Sequence, residues 1–124
     1  DGREIDLGLV DQSTEILSGR YDRVLIEGAG GLMVPVTDDL FCIDYIASRK
    51  LPAVLVTNGV LGSINHTVLS LEAIASRGIE LAAVVYNTHF DSDATIAADT
   101  FGFISRYTAS HFPEAEVMKM PSIM

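Results

Sequence analysis

Short, continuously apolar runs alternate with helix-like segments along this chain, and that alternation constrains the fold more than any other feature. The runs lie at residues 24–26, 53–57 and 81–86, with a less apolar one at 116–120. A strand with one solvated face alternates apolar and polar residues, whereas a continuously apolar strand is buried on both faces. The pattern therefore predicts an α/β fold, with a parallel sheet as the middle of three layers and helices on both faces.

Helical spacing of apolar residues, together with capping and stop residues, predicts four helices around these runs. They span residues 6–18, 43–48, 64–76 and 94–108. Ser63 and Asp93 are suitable N-caps for the last two helices. In parallel sheets ligands bind at the carboxyl ends of the strands. We therefore expect the functional residues to follow the apolar runs.

The chain has 124 residues, 48% of them hydrophobic, which suits one domain with a packed core. We predict that residues 1–124 form a single domain. Because the sequence starts at Asp1 rather than at a methionine, we interpret it as a piece of a longer protein.

Charge and cysteine content exclude several classes of function. The formal net charge is −9, and the 8 basic residues are scattered, so no basic patch for nucleic acid is present. A single cysteine allows no intramolecular disulfide and fits a reducing compartment. No apolar stretch approaches the roughly 18 residues of a membrane span. We expect a cytoplasmic protein.

The most informative motif is a carboxylate followed by glycines. Glu27 comes directly after an apolar run and precedes Gly28, Gly30 and Gly31. A glutamate offers a hard oxygen ligand for Mg²⁺, and glycines let backbone N–H groups approach a phosphate. From spacing alone, a glycine turn beside a solvated glutamate is an equal alternative. A dinucleotide fingerprint is excluded, because it needs glycine where Met33 stands.

Two further observations concern anion binding. The phosphate-binding P-loop motif G-x-x-x-x-G-K-[ST] is absent from the sequence, and neither Lys50 nor Lys119 follows a glycine loop. Residues 60–66 open a predicted helix, where free N–H groups and the helix dipole favour an anion. An ordinary capped helix start is the alternative there.

In combination, these segments resemble dethiobiotin synthetases. The matching segments are residues 1–5, 24–31, 34–35, 51–56, 61–67 and 84–87. The glycine stretch is shared with P-loop synthetases of cobalamin biosynthesis. The stretch Leu61-Gly62-Ser63-Ile64-Asn65-His66-Thr67 narrows the resemblance to dethiobiotin synthetases.

The resemblance implies the C-terminal portion of a homodimeric ligase of biotin biosynthesis with a P-loop NTPase-like fold. Such an enzyme uses ATP, Mg²⁺ and CO₂ or bicarbonate to convert 7,8-diaminononanoate to dethiobiotin, ADP and phosphate. One amine takes up CO₂, the carbamate attacks the γ-phosphate, and the second amine displaces phosphate to close the ring. The P-loop, its lysine and a second Mg²⁺ ligand would precede Asp1, so we expect the isolated chain to be inactive.

Carried over by position, the resemblance assigns site residues. Glu27 is the metal ligand and, with Gly28, a catalytic residue. The substrate's carboxylate is assigned to Leu61, Gly62, Ser63 and Asn65. ATP is assigned to Glu27, Gly28, Ala29, Gly30, Asn87, Thr88, Pro121, Ser122 and Ile123. Asn87 would recognise the adenine edge, or it would merely cap the next turn. Ser122 and Ile123 depart from the aromatic residue and leucine usual in the family.

Two other functions fit parts of the sequence. A related amide or diamide synthetase of the cobalamin type would share the glycine stretch and carry a glutamine-amidotransferase domain downstream. A non-catalytic dimerisation fragment would lack the nucleotide half. ATP binding by the chain separates this last alternative from the enzyme.

Overall fold

The computed structural model describes residues 5–123 and divides the chain into two compact units, Asp1–Tyr45 and Ile46–Met124. The first residues of the family resemblance, Asp1 to Glu4, lie outside the described residues. No helix within residues 5–123 is long and apolar enough to cross a membrane.

The first unit contains a helix and a short hairpin. Helix α1, Leu7–Arg20, begins where Asp6 Oδ1 accepts a hydrogen bond from Leu9 N at 3.1 Å. It continues past the predicted stop at Gly19 by one residue. Strands β1, Pro35–Thr37, and β2, Leu40–Phe41, pair antiparallel. The sequence did not predict this hairpin, because its strands are too short to carry a pattern.

The buried strand predicted at residues 24–26 is not formed. The segment is unpaired within the described residues, and the exposed fraction is 91% for Leu25 and 46% for Ile26. A strand needs a neighbouring strand to satisfy its backbone N–H and C=O groups. Apolar composition alone cannot supply that neighbour, so this prediction is wrong for the described part of the chain.

The remaining elements follow the predicted order. Helix α2, Cys42–Ser48, precedes a β-α-β-α-β arrangement with parallel strands in the order β3-β4-β5. Its elements are β3 (Ala53–Asn58), α3 (Ser63–Ser76), β4 (Leu81–Asn87), α4 (Ala94–His111) and β5 (Glu116–Met120). The predicted α/β class, with a parallel sheet and flanking helices, is confirmed.

Helices α3 and α4 pack on the same face of this sheet. Thr57 and Tyr86 are register partners on β3 and β4 and therefore share a face. Thr57 Oγ1 lies 2.6 Å from Thr67 Oγ1 of α3, and the Tyr86 ring meets Phe101 of α4 edge-on at 5.5 Å. On the opposite face Val54 and Val56 are 52% and 60% exposed. The described residues of this unit place no helix over them.

Candidate functional site

The Glu27 segment has the backbone of a tight, open turn. Glu27, Gly28, Ala29 and Gly30 are all exposed. Gly30 and Gly31 have φ angles of 84° and 109°, in the left-handed region that side chains disfavour. The turn therefore requires glycine at both positions, which explains part of the motif without reference to a ligand.

Close packing from below explains the glycine at position 28. A Cβ atom there would lie 3.0 Å from Cys42 Sγ, and one at Gly30 would lie 3.1 Å from Val34 Cγ2. Two backbone bonds hold the loop to the start of α2: Cys42 N donates to Val34 O at 2.8 Å, and Ile43 N donates to Leu32 O at 2.9 Å. The loop thus rests directly on Cys42, a contact that sequence reasoning missed.

The donor set at this loop fits Mg²⁺ as a partial site. Within residues 5–123 there is no group of three or more histidine, cysteine, aspartate or glutamate side chains that could hold a metal ion. Mg²⁺ is usually held by only one or two carboxylates, with waters and substrate phosphates completing its shell. The exposed carboxylate of Glu27, beside backbone free of side chains, suits that role.

The loop between β3 and α3 forms a helix start with free donors. Asn58 Oδ1 accepts from Val60 N at 3.0 Å, and Gly62, with φ 92°, occupies the N-cap position. The expectation that Ser63 caps α3 is therefore wrong, because Ser63 is already the first helical residue. The N–H groups of Ile64 and Asn65 have no acceptor in the described part of the chain.

Accessibility separates the predicted substrate residues at this helix start. Leu61 is 101% exposed, and Gly62 and Asn65 are also exposed. Ser63 is 8% exposed, so its side chain is much less accessible. The first turn of α3 consequently presents backbone N–H groups and the Asn65 amide to a ligand, with Leu61 beside them.

The residues predicted to bind the base lie together at the ends of β4 and β5. Thr88 Oγ1 donates to Met120 O at 3.0 Å, and His89 Nδ1 lies 3.1 Å from Ser122 Oγ. These contacts bring Thr88 and Ser122 to one edge of the sheet. Pro121, Ser122 and Ile123 are exposed.

Asn87 makes the capping contact named as its alternative role. Its Oδ1 accepts from His89 N at 3.0 Å and starts the 3-10 turn Thr88–Phe90. A carbonyl oxygen has two lone pairs, and the Asn87 amide group makes no other hydrogen bond within residues 5–123. Capping therefore leaves one lone pair and both N–H donors for a ligand.

Comparison with known proteins decides the family. The AAA domain family matches residues 1–119. The chain belongs to this family.

The relatives within it carry one name. The chain is 47% identical over 121 residues to the ATP-dependent dethiobiotin synthetase of Chlorobaculum tepidum, covering 97% of this chain and 51% of that protein. It is 40% identical over 123 residues to ATP-dependent dethiobiotin synthetase BioD 2 of Pasteurella multocida, covering 98% and 58%. With the BioD 2 of Haemophilus influenzae the figures are 48% over 93 residues, 75% and 49%. The resemblance to dethiobiotin synthetases is confirmed, and the chain spans about half the length of these relatives.

Proposed function

We propose that these residues are the C-terminal portion of an ATP-dependent dethiobiotin synthetase. The enzyme would carboxylate 7,8-diaminononanoate with CO₂ and close the ureido ring, releasing ADP and phosphate. The observation that carries the proposal is the 47% identity to a dethiobiotin synthetase over 97% of the chain. The glycine loop and the start of α3 supply anion-binding features of the kind this chemistry needs.

The Glu27 segment is proposed to hold the reacting phosphoryl group. Backbone N–H groups of residues 28–30 would donate to phosphate and carbamate oxygens, where negative charge develops during transfer. Bound Mg²⁺ would neutralise charge on the phosphates, and the Glu27 carboxylate would hold it. The support for this role is the exposed carboxylate beside a loop whose glycines are enforced by Cys42 and by positive φ angles.

The start of α3 is proposed to bind the carboxylate of the diamino acid. The free N–H groups of Ile64 and Asn65 lie at the positive end of the helix dipole. The Asn65 side chain adds a further donor. The substrate carries its permanent negative charge on that carboxylate, which makes the helix start its natural partner.

The edge formed by Asn87, Thr88 and Ser122 is proposed to receive the adenine base. An amide side chain can donate and accept at once, as the adenine edge requires. Asn87 keeps this capacity despite its capping bond. Pro121, Ser122 and Ile123 would pack against the base.

A cytoplasmic homodimer is the proposed state of the enzyme. Leu61 projects entirely into solvent, and Val60 beside it is 48% exposed. An exposed apolar pair next to a ligand-binding helix start is suited to contact with a second copy. In that arrangement each subunit would help to complete the other's carboxylate site.

Glu27→Gln in the complete gene product tests the metal role. The variant keeps the shape of the side chain but removes its charge. Turnover should fall by roughly 100-fold, the size typical of losing one group that stabilises developing charge. Added Mg²⁺ should restore part of the loss.

The matched control is Glu15→Gln, on the exposed surface of α1. It should behave like the wild type at all Mg²⁺ concentrations. Equal turnover of Glu27→Gln and wild type at limiting Mg²⁺ would refute the assignment.

A further inference from the structure

One buried tyrosine lies beneath both loops assigned to ligands, and no role has been given to it so far. Strands β3 and β4 are parallel neighbours, and Asn58 and Asn87 are register partners at their ends. Each asparagine accepts a hydrogen bond from the N–H group two residues later. The carboxylate loop and the base-binding turn therefore leave the sheet side by side, through the same kind of turn.

Tyr86 contacts the second of these turns through its hydroxyl group. The residue is 0% exposed, and its Oη donates to Asp91 Oδ1 at 2.7 Å. Asp91 in turn closes the 3-10 turn, because its N–H donates to Thr88 O at 3.1 Å. The tyrosine thus fixes the far end of the turn that begins at Asn87.

Gly59 brings the first loop onto the same pair. A Cβ atom at position 59 would overlap Tyr86 Oη and lie 2.5 Å from Asp91 Oδ1. The φ angle of Gly59 is not in the left-handed region, so lack of space rather than backbone conformation demands glycine there. The backbone of the β3–α3 loop consequently sits directly on the tyrosine–aspartate hydrogen bond.

The hydroxyl remains a donor over the whole physiological range. Burial, followed by the hydrogen bond to Asp91 and its nearby negative charge, raises the pKa of Tyr86 to about 12. A group that keeps its proton is unsuited to proton transfer near neutrality but well suited to a permanent structural contact.

We propose that Tyr86, Asp91 and Gly59 form a latch that sets the carboxylate loop and the base-binding turn in register with each other. Tyr86 and Asp91 are then positioning residues for two ligands at once. This inference rests on the proposed function for the identity of the ligands, and on the hydrogen bonds alone for the coupling of the two loops.

Tyr86→Phe in the complete gene product is the main test, because it keeps the ring on Phe101 and removes only the hydrogen bond. The latch predicts that KM rises about 5-fold for both the diamino acid and ATP, with a smaller change in kcat, since one buried hydrogen bond contributes about 1 kcal/mol. Asp91→Ala should have the same effect, and Asp91→Asn, which keeps an acceptor oxygen, should recover most of it. The double variant Tyr86→Phe/Asp91→Ala should be no worse than either single variant.

Tyr107→Phe is the matched control. The Tyr107 hydroxyl has no hydrogen-bond partner within residues 5–123, and its ring stacks on His111 on the same helix. It should leave both KM values unchanged. A Tyr86→Phe enzyme that is less stable but has wild-type KM values would overturn the latch and leave an ordinary core tyrosine.

Amide hydrogen exchange separates this inference from the proposed function. Loss of the latch should speed exchange at Val60 N–H and His89 N–H together, by about 5-fold, whatever ligand the protein binds. Unchanged exchange at both amides in Tyr86→Phe and Asp91→Ala would overturn the proposal. If the wild type formed no dethiobiotin but exchange rose at both sites, the latch would stand and the proposed function would fall.

Discussion

Thr108 on α4 has a buried side chain that its surroundings do not satisfy. The residue is 0% exposed, and its Oγ1 has no hydrogen-bond partner among the described residues. A buried polar atom without a partner costs about 1–3 kcal/mol. Thr108→Val has nearly the same shape and should raise the free energy of unfolding by about 1 kcal/mol in urea titration of the complete gene product.

Thr67 provides the control for this prediction. It is equally buried, but its Oγ1 donates to Ser63 O at 2.5 Å and meets Thr57 Oγ1 at 2.6 Å. Thr67→Val should therefore lower the free energy of unfolding by about 1 kcal/mol. Equal signs for the two valine variants would contradict this explanation.

Sequence reasoning at the residue scale succeeds where one residue type has a local task. Asp93 was predicted as an N-cap from its position before a helical pattern, and its Oδ1 accepts from Thr95 N and Ile96 N. The role of Gly59 could not be predicted, because the atoms that exclude a side chain there belong to β4 and the turn after it. The Cys42 contact beneath Gly28 was missed for the same reason.

The cap of α4 gives a prediction at the scale of the element. Asp93→Ala removes two hydrogen bonds, of 2.9 and 3.0 Å, from the first turn of an 18-residue helix. The expected loss is about 1 kcal/mol of unfolding free energy, the usual value for an N-cap. Asp99→Ala, on the exposed side of the same helix, removes the same charge without a cap and should change stability by less than about 0.5 kcal/mol. A loss of the same size in both variants would assign the effect to charge.

Strands were predictable in this chain only where a neighbouring strand lies within it. Residues 53–58, 81–87 and 116–120 pair with one another, and each was recognised from its apolar run. Residues 24–26 have the same composition but remain unpaired and exposed. Composition reports what a segment could bury, whereas pairing depends on another part of the protein.

The whole molecule was predictable in class and in family. Alternating apolar runs and helices gave the parallel α/β arrangement, and short motifs gave the resemblance to dethiobiotin synthetases that the comparisons confirm. The ligand roles of Glu27, Asn65 and Asn87 stay predictions. Their chemistry depends on bound molecules and on residues beyond this sequence, and a single chain of amino acids encodes neither directly.

The division of labour along the gene product is the central claim, and one assay tests it most directly. The complete gene product and the 124 residues alone are each incubated with 7,8-diaminononanoate, bicarbonate, ATP and Mg²⁺, and dethiobiotin and phosphate are measured. The complete protein should form dethiobiotin and phosphate in equal amounts. The 124 residues should form none, because neither Lys50 nor Lys119 follows a phosphate-binding loop. Dethiobiotin from the 124 residues alone, or a complete protein that uses ATP without forming it, would contradict the claim.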